Sequence, residues 1–148
     1  VGTSLAIDAT GTRIASGAPL VDLTVGTDCG IVSVWTLASG TWAVQDVTPF
    51  DHAAGENFGA SVAFRGDGQV LVVGAPFDTV GGILKRGSAA VLVREGSGWS
   101  TYDRLVLPAV GTSAANFGRA VAFRGSQILV GGPKQAPGGT VRTFGSPP

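Results

Sequence analysis

Methionine is absent from these 148 residues, cysteine and histidine occur once each, as Cys29 and His52, and only 14% of the chain is charged. A single cysteine excludes an intrachain disulfide, and without a Cys/His cluster the common zinc and iron–sulfur sites have no ligand set. Ten basic and ten acidic residues cancel, and no segment concentrates either sign. Nucleic acid and anionic membrane surfaces therefore have no electrostatic reason to bind. The apolar runs, such as Val70 to Val73, are strand-sized and far short of the roughly 20 residues a membrane-spanning helix needs. No initiator methionine and no basic-then-apolar leader opens the chain, so an excerpt of a longer protein is expected.

What the sequence does contain is glycine, 24 of them, with eight prolines and 44% hydrophobic residues. That much glycine and proline does not suit helices, while Val, Thr, Phe and Trp in short runs between them suit strands joined by tight turns. The hydrophobic fraction is enough for a core. The expected fold class is all-β.

The runs are organised by a repeat. SGAP ends at Pro19, VGAP at Pro76 and VGGP at Pro133, so these anchors stand 57 residues apart. The match extends upstream, from Val1, Phe58 and Phe117, with the third copy two residues shorter in its turn. Downstream, Gly30 aligns with Gly87, and Trp42 with Trp99, at the same spacing. A fixed period of this size marks an array of similar supersecondary units.

Within the middle unit, Ala60 to Phe64 reads as a first strand, and Gly66-Asp67-Gly68 as a hairpin turn, because Asp-Gly accepts the positive φ of tight hairpins. Val70 to Ala75 is the partner strand, stopped at Pro76, which has no amide hydrogen for the ladder. Ser88 to Arg94 and Trp99 to Leu107 follow, joined by a turn at Gly96-Ser97-Gly98. Four antiparallel strands make a blade, and blades stack because each has two apolar faces to bury. SVAF and VLVV, nearly continuous in apolar residues, suit inner strands covered on both sides. Trp42 and Trp99 are expected to pack between adjacent blades.

Phe58-Gly59 with Gly74-Ala75-Pro76, Phe117-Gly118 with Gly131-Gly132-Pro133, and a degenerate Val1-Gly2 with Gly17-Ala18-Pro19 together resemble the FG-GAP repeat of integrin-type β-propellers. That resemblance implies a propeller of a cell-surface or secreted protein. The chain divides as one propeller segment: blade 1 over 1–57, blade 2 over 58–116 and an incomplete blade 3 over 117–148. About two and two-thirds blades are thus expected. An open arc leaves apolar faces bare, which calls for a partner: other subunits, or the rest of a longer propeller.

Integrin-type repeats often hold calcium in a DxDxDG loop after the first strand. The corresponding turns here offer one carboxylate each at most, Asp8 in the first and Asp67 in the second. One carboxylate does not replace an ion's hydration shell, so plain hairpin turns and no cofactor are expected. Arg65-Gly66-Asp67 spells an integrin-binding tripeptide, but turn chemistry plus one arginine explains it. His52 with Ser61 or Ser113 suggests a hydrolytic triad, yet no nucleophile elbow, paired carboxylates or phosphate loop accompanies them. The expected protein is not an enzyme.

The loops after the anchors, Leu20 to Cys29, Phe77 to Arg86 and Lys134 to Gly138, are the least alike parts of the repeat. They carry Asp22 and Asp28, then Asp78, Lys85 and Arg86, then Lys134 and Gln135, and a binding rim is expected there. Cys29 is expected as a half-buried free thiol, with a bond to another chain as the alternative for an extracellular protein. Asn57 and Asn116 are followed by Phe-Gly, so no glycosylation sequon occurs. The function these readings favour is a non-catalytic interaction or structural module of an extracellular protein. The alternatives are a glycan-binding propeller, with Trp42 and Trp99 stacking on sugars, and an accessory domain of a secreted enzyme.

Overall fold

A computed structural model describes residues 2–48, 53–108, 114–135 and 137–148. Among them every regular element is a strand: β1 (Ser4–Ile7), β2 (Arg13–Ala18), β3 (Ile31–Ala38), β4 (Thr41–Val47), β5 (Ser61–Phe64), β6 (Val70–Ala75), β7 (Ser88–Glu95), β8 (Gly98–Leu105), β9 (Ala120–Arg124), β10 (Gln127–Gly132) and β11 (Thr140–Gly145). They form three antiparallel sheets, ordered β1-β2-β3-β4, β5-β6-β7-β8 and β9-β10-β11. Each is a meander of neighbouring strands, and β5 lies against both β1 and β9. These are propeller blades, two of four strands and one of three.

The repeat is visible in the register. Ser4 pairs with Gly17 and Ser61 with Gly74, each at the base of the first hairpin. Leu37 pairs with Trp42 and Arg94 with Trp99 at the outer hairpin. Tight turns close these hairpins on glycines with positive φ, Gly68 at 66° and Gly96 at 61°, a conformation that costs a residue with a Cβ. A bulge between Val91 and Leu92 shifts the β7–β8 register. β8 ends at Leu105, short of Leu107.

Two cores lie between the three sheets. The first gathers Ala15, Val32 and Val34 from the first sheet with Val62, Phe64, Leu71 and Leu92 from the second. The second gathers Val70, Val72, Ala89 and Val91 with Phe117, Ile128 and Val130 from the third. Alternation on a strand sends successive side chains to opposite faces, so β6 feeds both cores and is buried at every position. In β5 burial alternates between full and partial, so SVAF is less completely covered than the sequence leads one to expect.

Trp99 sits between the first two sheets, its ring 5.9 Å from that of Phe64. Trp42, at the same place in the first sheet, is 43% exposed. The expectation that both tryptophans pack between blades is thus corrected for Trp42, because among the described residues no sheet covers the face on which it lies.

Candidate functional site

The joints between sheets are built from the residues that mark the repeat. Phe58 and Phe117 are fully buried, and each opens a tight connection into the next first strand. Gly59 and Gly118 follow at φ 88° and 87°. The amides of Gly59 and Ala60 donate to the Gly74 carbonyl at 3.1 and 3.2 Å, and the amide of Gly118 to the Gly131 carbonyl at 3.0 Å. This turn brings the glycine carbonyl out toward the preceding sheet.

There it meets a surface cut to receive it. The Ser4 hydroxyl donates to the Gly59 carbonyl at 2.8 Å, and the Ser61 hydroxyl to the Gly118 carbonyl at 2.8 Å. A Cβ on Gly17 would stand closer than 3.0 Å to the Gly59 carbonyl, and one on Gly74 equally close to that of Gly118. Gly30 and Gly87 meet the backbones of Phe58 and Phe117 in the same way. Phe58 and Phe117 donate their amides to Cys29 and Arg86 carbonyls, both at 3.0 Å. The two glycines of each pair are therefore required by the backbone of the next sheet.

Asn57 and Asn116 complete the joint, a role that reading the sequence missed. Both take positive φ, 56° and 51°, and their Nδ2 groups donate to the carbonyls of Pro19 and Pro76 at 3.0 and 3.1 Å. The signal that could have found them is the Asn-Phe-Gly string preceding two of the first strands. Asparagine tolerates the left-handed conformation better than other residues with a Cβ.

The first two loops expected to form a rim, Leu20 to Cys29 and Phe77 to Arg86, share one backbone despite unlike side chains. Leu23 bridges Gly26 as Val80 bridges Ile83, and the amides of Gly30 and Gly87 donate to Val21 and Asp78 carbonyls, each at 3.0 Å. Asp78 and Arg86 are buried, which corrects their placement on a rim. The Asp78 carboxylate accepts from Ser88 and Arg104, and the Arg86 guanidinium donates to the carbonyls of Leu107 and Pro108. Asp22 accepts the Asp28 amide at 3.0 Å within its own loop. Lys85 lies over the Phe77 ring at 5.0 Å. Lys134 is exposed and Gln135 half-buried.

Asp8, the first-turn carboxylate, is buried and fully engaged. Its Oδ1 accepts the amides of Thr12 and Arg13 at 2.9 and 3.1 Å, and its Oδ2 accepts the Thr10 hydroxyl and the Arg13 guanidinium at 2.8 and 3.2 Å. Burial pushes this carboxyl up, but the Thr10 hydroxyl, the two amides and the Arg13 charge outweigh it and hold it below 3.8. Asp67 is likewise lowered, chiefly by Arg65, whose Nε reaches both its oxygens at 3.0 and 2.9 Å. The Arg-Gly-Asp tripeptide is folded onto itself, with Arg65 also donating to Ser146 at 2.8 Å.

Cys29 is completely buried, not half-buried, with its thiol directed at the Gly26 carbonyl. A bond to another chain would have to unpack it. Of the hydrolytic set weighed above, Ser61 belongs to a joint, while His52 and Ser113 lie outside the described residues.

Three blade-like meanders, joined by a recurrent Phe-Gly turn seated on the glycine of the preceding sheet, define a β-propeller repeat protein. Residues 42–92 match the sequence model of the FG-GAP repeat. The matched stretch runs from β4 through the first joint into β7, so it contains Phe58-Gly59 and Gly74-Ala75-Pro76 together. FG-GAP repeats occur in extracellular and cell-surface proteins. Among the described residues no helix is long and apolar enough to cross a membrane. No curated protein matches the chain.

Proposed function

We propose that this chain is a non-catalytic structural and protein-interaction module of an extracellular or cell-surface protein, and that the exposed apolar faces of its first and third sheets pack against a further sheet, of the same protein or of another subunit. The observation that carries this reading is a contrast between equivalent positions. Leu5 and Ile7 on β1 are 68% and 61% exposed, whereas Val62 and Phe64, at the same places on β5, are 8% and 7% exposed. Identical strand positions are core in one sheet and surface in the other, depending only on whether a sheet precedes them. Trp42, Val44 and, at the far end, Val141 add to the exposed apolar area, and such patches on a protein surface mark interaction sites.

The buried polar groups support the same reading. Asp8, Asp78, Arg86, Asn57 and Asn116 make their hydrogen bonds with groups of the chain itself. A glycan-binding propeller asks for equivalent, open aromatic platforms, and Trp42 and Trp99 are not equivalent in exposure.

The test is the binding of 8-anilinonaphthalene-1-sulfonate to the native chain, beside a Leu5→Glu/Ile7→Glu double variant. The native chain should enhance the dye's fluorescence and the variant should lose much of that signal while unfolding at the same denaturant concentration. A native chain that leaves the dye unchanged would overturn the reading.

A further inference from the structure

Apolar side chains close only part of the seam between the first and second sheets, where Phe64, Leu71 and Leu92 pack with Val32 and Val34. Beside them a groove of about 260 Å³ remains open, lined from both sheets. One wall carries the cross-strand pair Thr36 and Ala43 with Gln45, and the other carries Arg94 with its cross-strand partner Trp99. Ser97, in the turn between β7 and β8, lines it too. A Cβ on Gly98 would stand 3.8 Å from the Gln45 Nε2, so the Gln45 amide reaches across the seam. Both walls belong to four-stranded sheets, and the groove is bounded on each side by this chain.

Polar groups elsewhere in the fold are engaged: Arg13 with Asp8, Arg65 with Asp67 and Arg104 with Asp78. Those of the groove are not. Among the described residues, the Arg94 guanidinium, the Gln45 amide and the Thr36 and Ser97 hydroxyls have no hydrogen-bond or ion-pair partner, although Thr36, Arg94 and Trp99 are half-buried. Arg94 faces Trp99 across the strands as Leu37 faces Trp42 in the first sheet, so a cation stands at a repeat position that is apolar one unit earlier. Of the described residues lining the groove, Arg94 alone is charged. Asp46 and Glu95 follow Gln45 and Arg94 in sequence, and alternation turns them to the other faces of their strands, where Asp46 accepts the Ser33 hydroxyl at 2.5 Å. A guanidinium held in place without a counter-charge is a fork for an incoming carboxylate.

We infer that this groove binds a single sugar ring bearing a carboxylate, a uronic-acid type of ligand. Its volume lies below the roughly 300–1,000 Å³ of pockets for drug-sized ligands, which suits one ring and no more. The Trp99 indole, held against Phe64, is a rigid apolar surface for the C–H face of a pyranose. Arg94 takes the carboxylate, and Gln45, Thr36 and Ser97 exchange hydrogen bonds with the ring hydroxyls, each of which can donate or accept. Three neutral hydrogen-bonding groups around one cation match a polyhydroxylated ring with one charge. An acidic peptide side chain would use Arg94 and leave the rest to water. The site needs one indole at one seam, unlike a propeller with repeated aromatic platforms. It uses neither exposed sheet face, so it stands apart from the packing role proposed for them.

Titration of the isotope-labelled chain with methyl glucuronide, followed by NMR of its amide and indole N–H groups, tests the inference. The Trp99 indole and the amides of β4 and of the β7–β8 turn should shift and saturate, while the Trp42 indole stays unmoved. Methyl glucoside, which lacks the carboxylate, should bind at least about tenfold more weakly, the loss of a charge-assisted hydrogen bond. Arg94→Leu, which installs the residue that the first sheet carries at this position, should weaken glucuronide binding as much with an unchanged urea midpoint. Gln45→Ala, an exposed side chain, gives a second variant that should weaken binding without touching the core. Absence of saturable shifts with glucuronide, equal binding of the glucoside, or binding indifferent to both variants would each overturn the inference. So would a glutamate oligopeptide that shifts these same groups where glucuronide does not, which would make the groove a peptide site.

Discussion

The carbonyl of Gly118 occupies the space in which a side chain on Gly74 would begin, and the Ser61 hydroxyl holds it there at 2.8 Å. One residue is small and the other is bent so that two sheets can touch backbone to backbone. Gly74→Ala should therefore destabilise the fold by about 2–3 kcal/mol, as overpacking of a rigid contact does. Gly131→Ala, at the same repeat position with open space around it, should stay within about 0.5 kcal/mol of wild type. Urea unfolding of the two variants side by side checks both.

Removing the hydroxyl alone is a milder change. Ser61→Ala and Ser4→Ala should each cost about 1 kcal/mol, the net worth of one hydrogen bond, and the two should add because they lie in different joints. A double variant in the same urea experiment would show whether they do.

Phe117 lies wholly inside the second core, with its ring 6.1 Å from that of Phe144. Phe117→Ala should cost about 3–5 kcal/mol and loosen the third sheet first. Hydrogen exchange should show amides of β9 and β10 losing protection before those of β2 and β3.

Asp8 sets an acid limit. Its folded-state carboxyl is held below the ordinary 3.8, so the unfolded chain takes up that proton first as pH falls. The stabilisation is complete above about 4 and is lost as pH drops from there through the lowered folded value. Asp8→Asn should be less stable than wild type at pH 7, by about 2 kcal/mol for the buried donors left without their acceptor. The difference should shrink between pH 4 and 2. Thermal melts across that range measure it.

Cys29 offers a probe that needs no mutation. Because the thiol is buried and bonded to the Gly26 carbonyl, Ellman's reagent should label it only as the chain unfolds. Full labelling in native buffer would contradict its place in the structure.

The sheets were legible in the sequence because glycine and proline punctuate them at a fixed period, and punctuation is a backbone property that one sequence displays. Pro76 ends β6 and Gly68 turns the hairpin before it, as turn chemistry requires. Burial was harder to read. Trp42 and Trp99 are the same residue at the same repeat position, and only the presence of a neighbouring sheet separates them. Side-chain divergence also misled at Asp78 and Arg86, where unlike residues decorate a common loop backbone and happen to point inward. The joints were half visible: their glycines and phenylalanines stood out as anchors, but Ser4, Ser61, Asn57 and Asn116 act through carbonyls of distant residues, which no local pattern announces.

The two internal joints are one operation carried out twice, with the same bond lengths to within 0.1 Å in Ser4 to Gly59 and Ser61 to Gly118, and in Asn57 to Pro19 and Asn116 to Pro76. Such a fold contains no ruler. Each unit recognises its neighbour and nothing beyond it, so number is not written into the contact surface. A lineage could gain or lose a unit by duplicating or deleting one period of the gene, and the newcomer would arrive already carrying both sides of its seam.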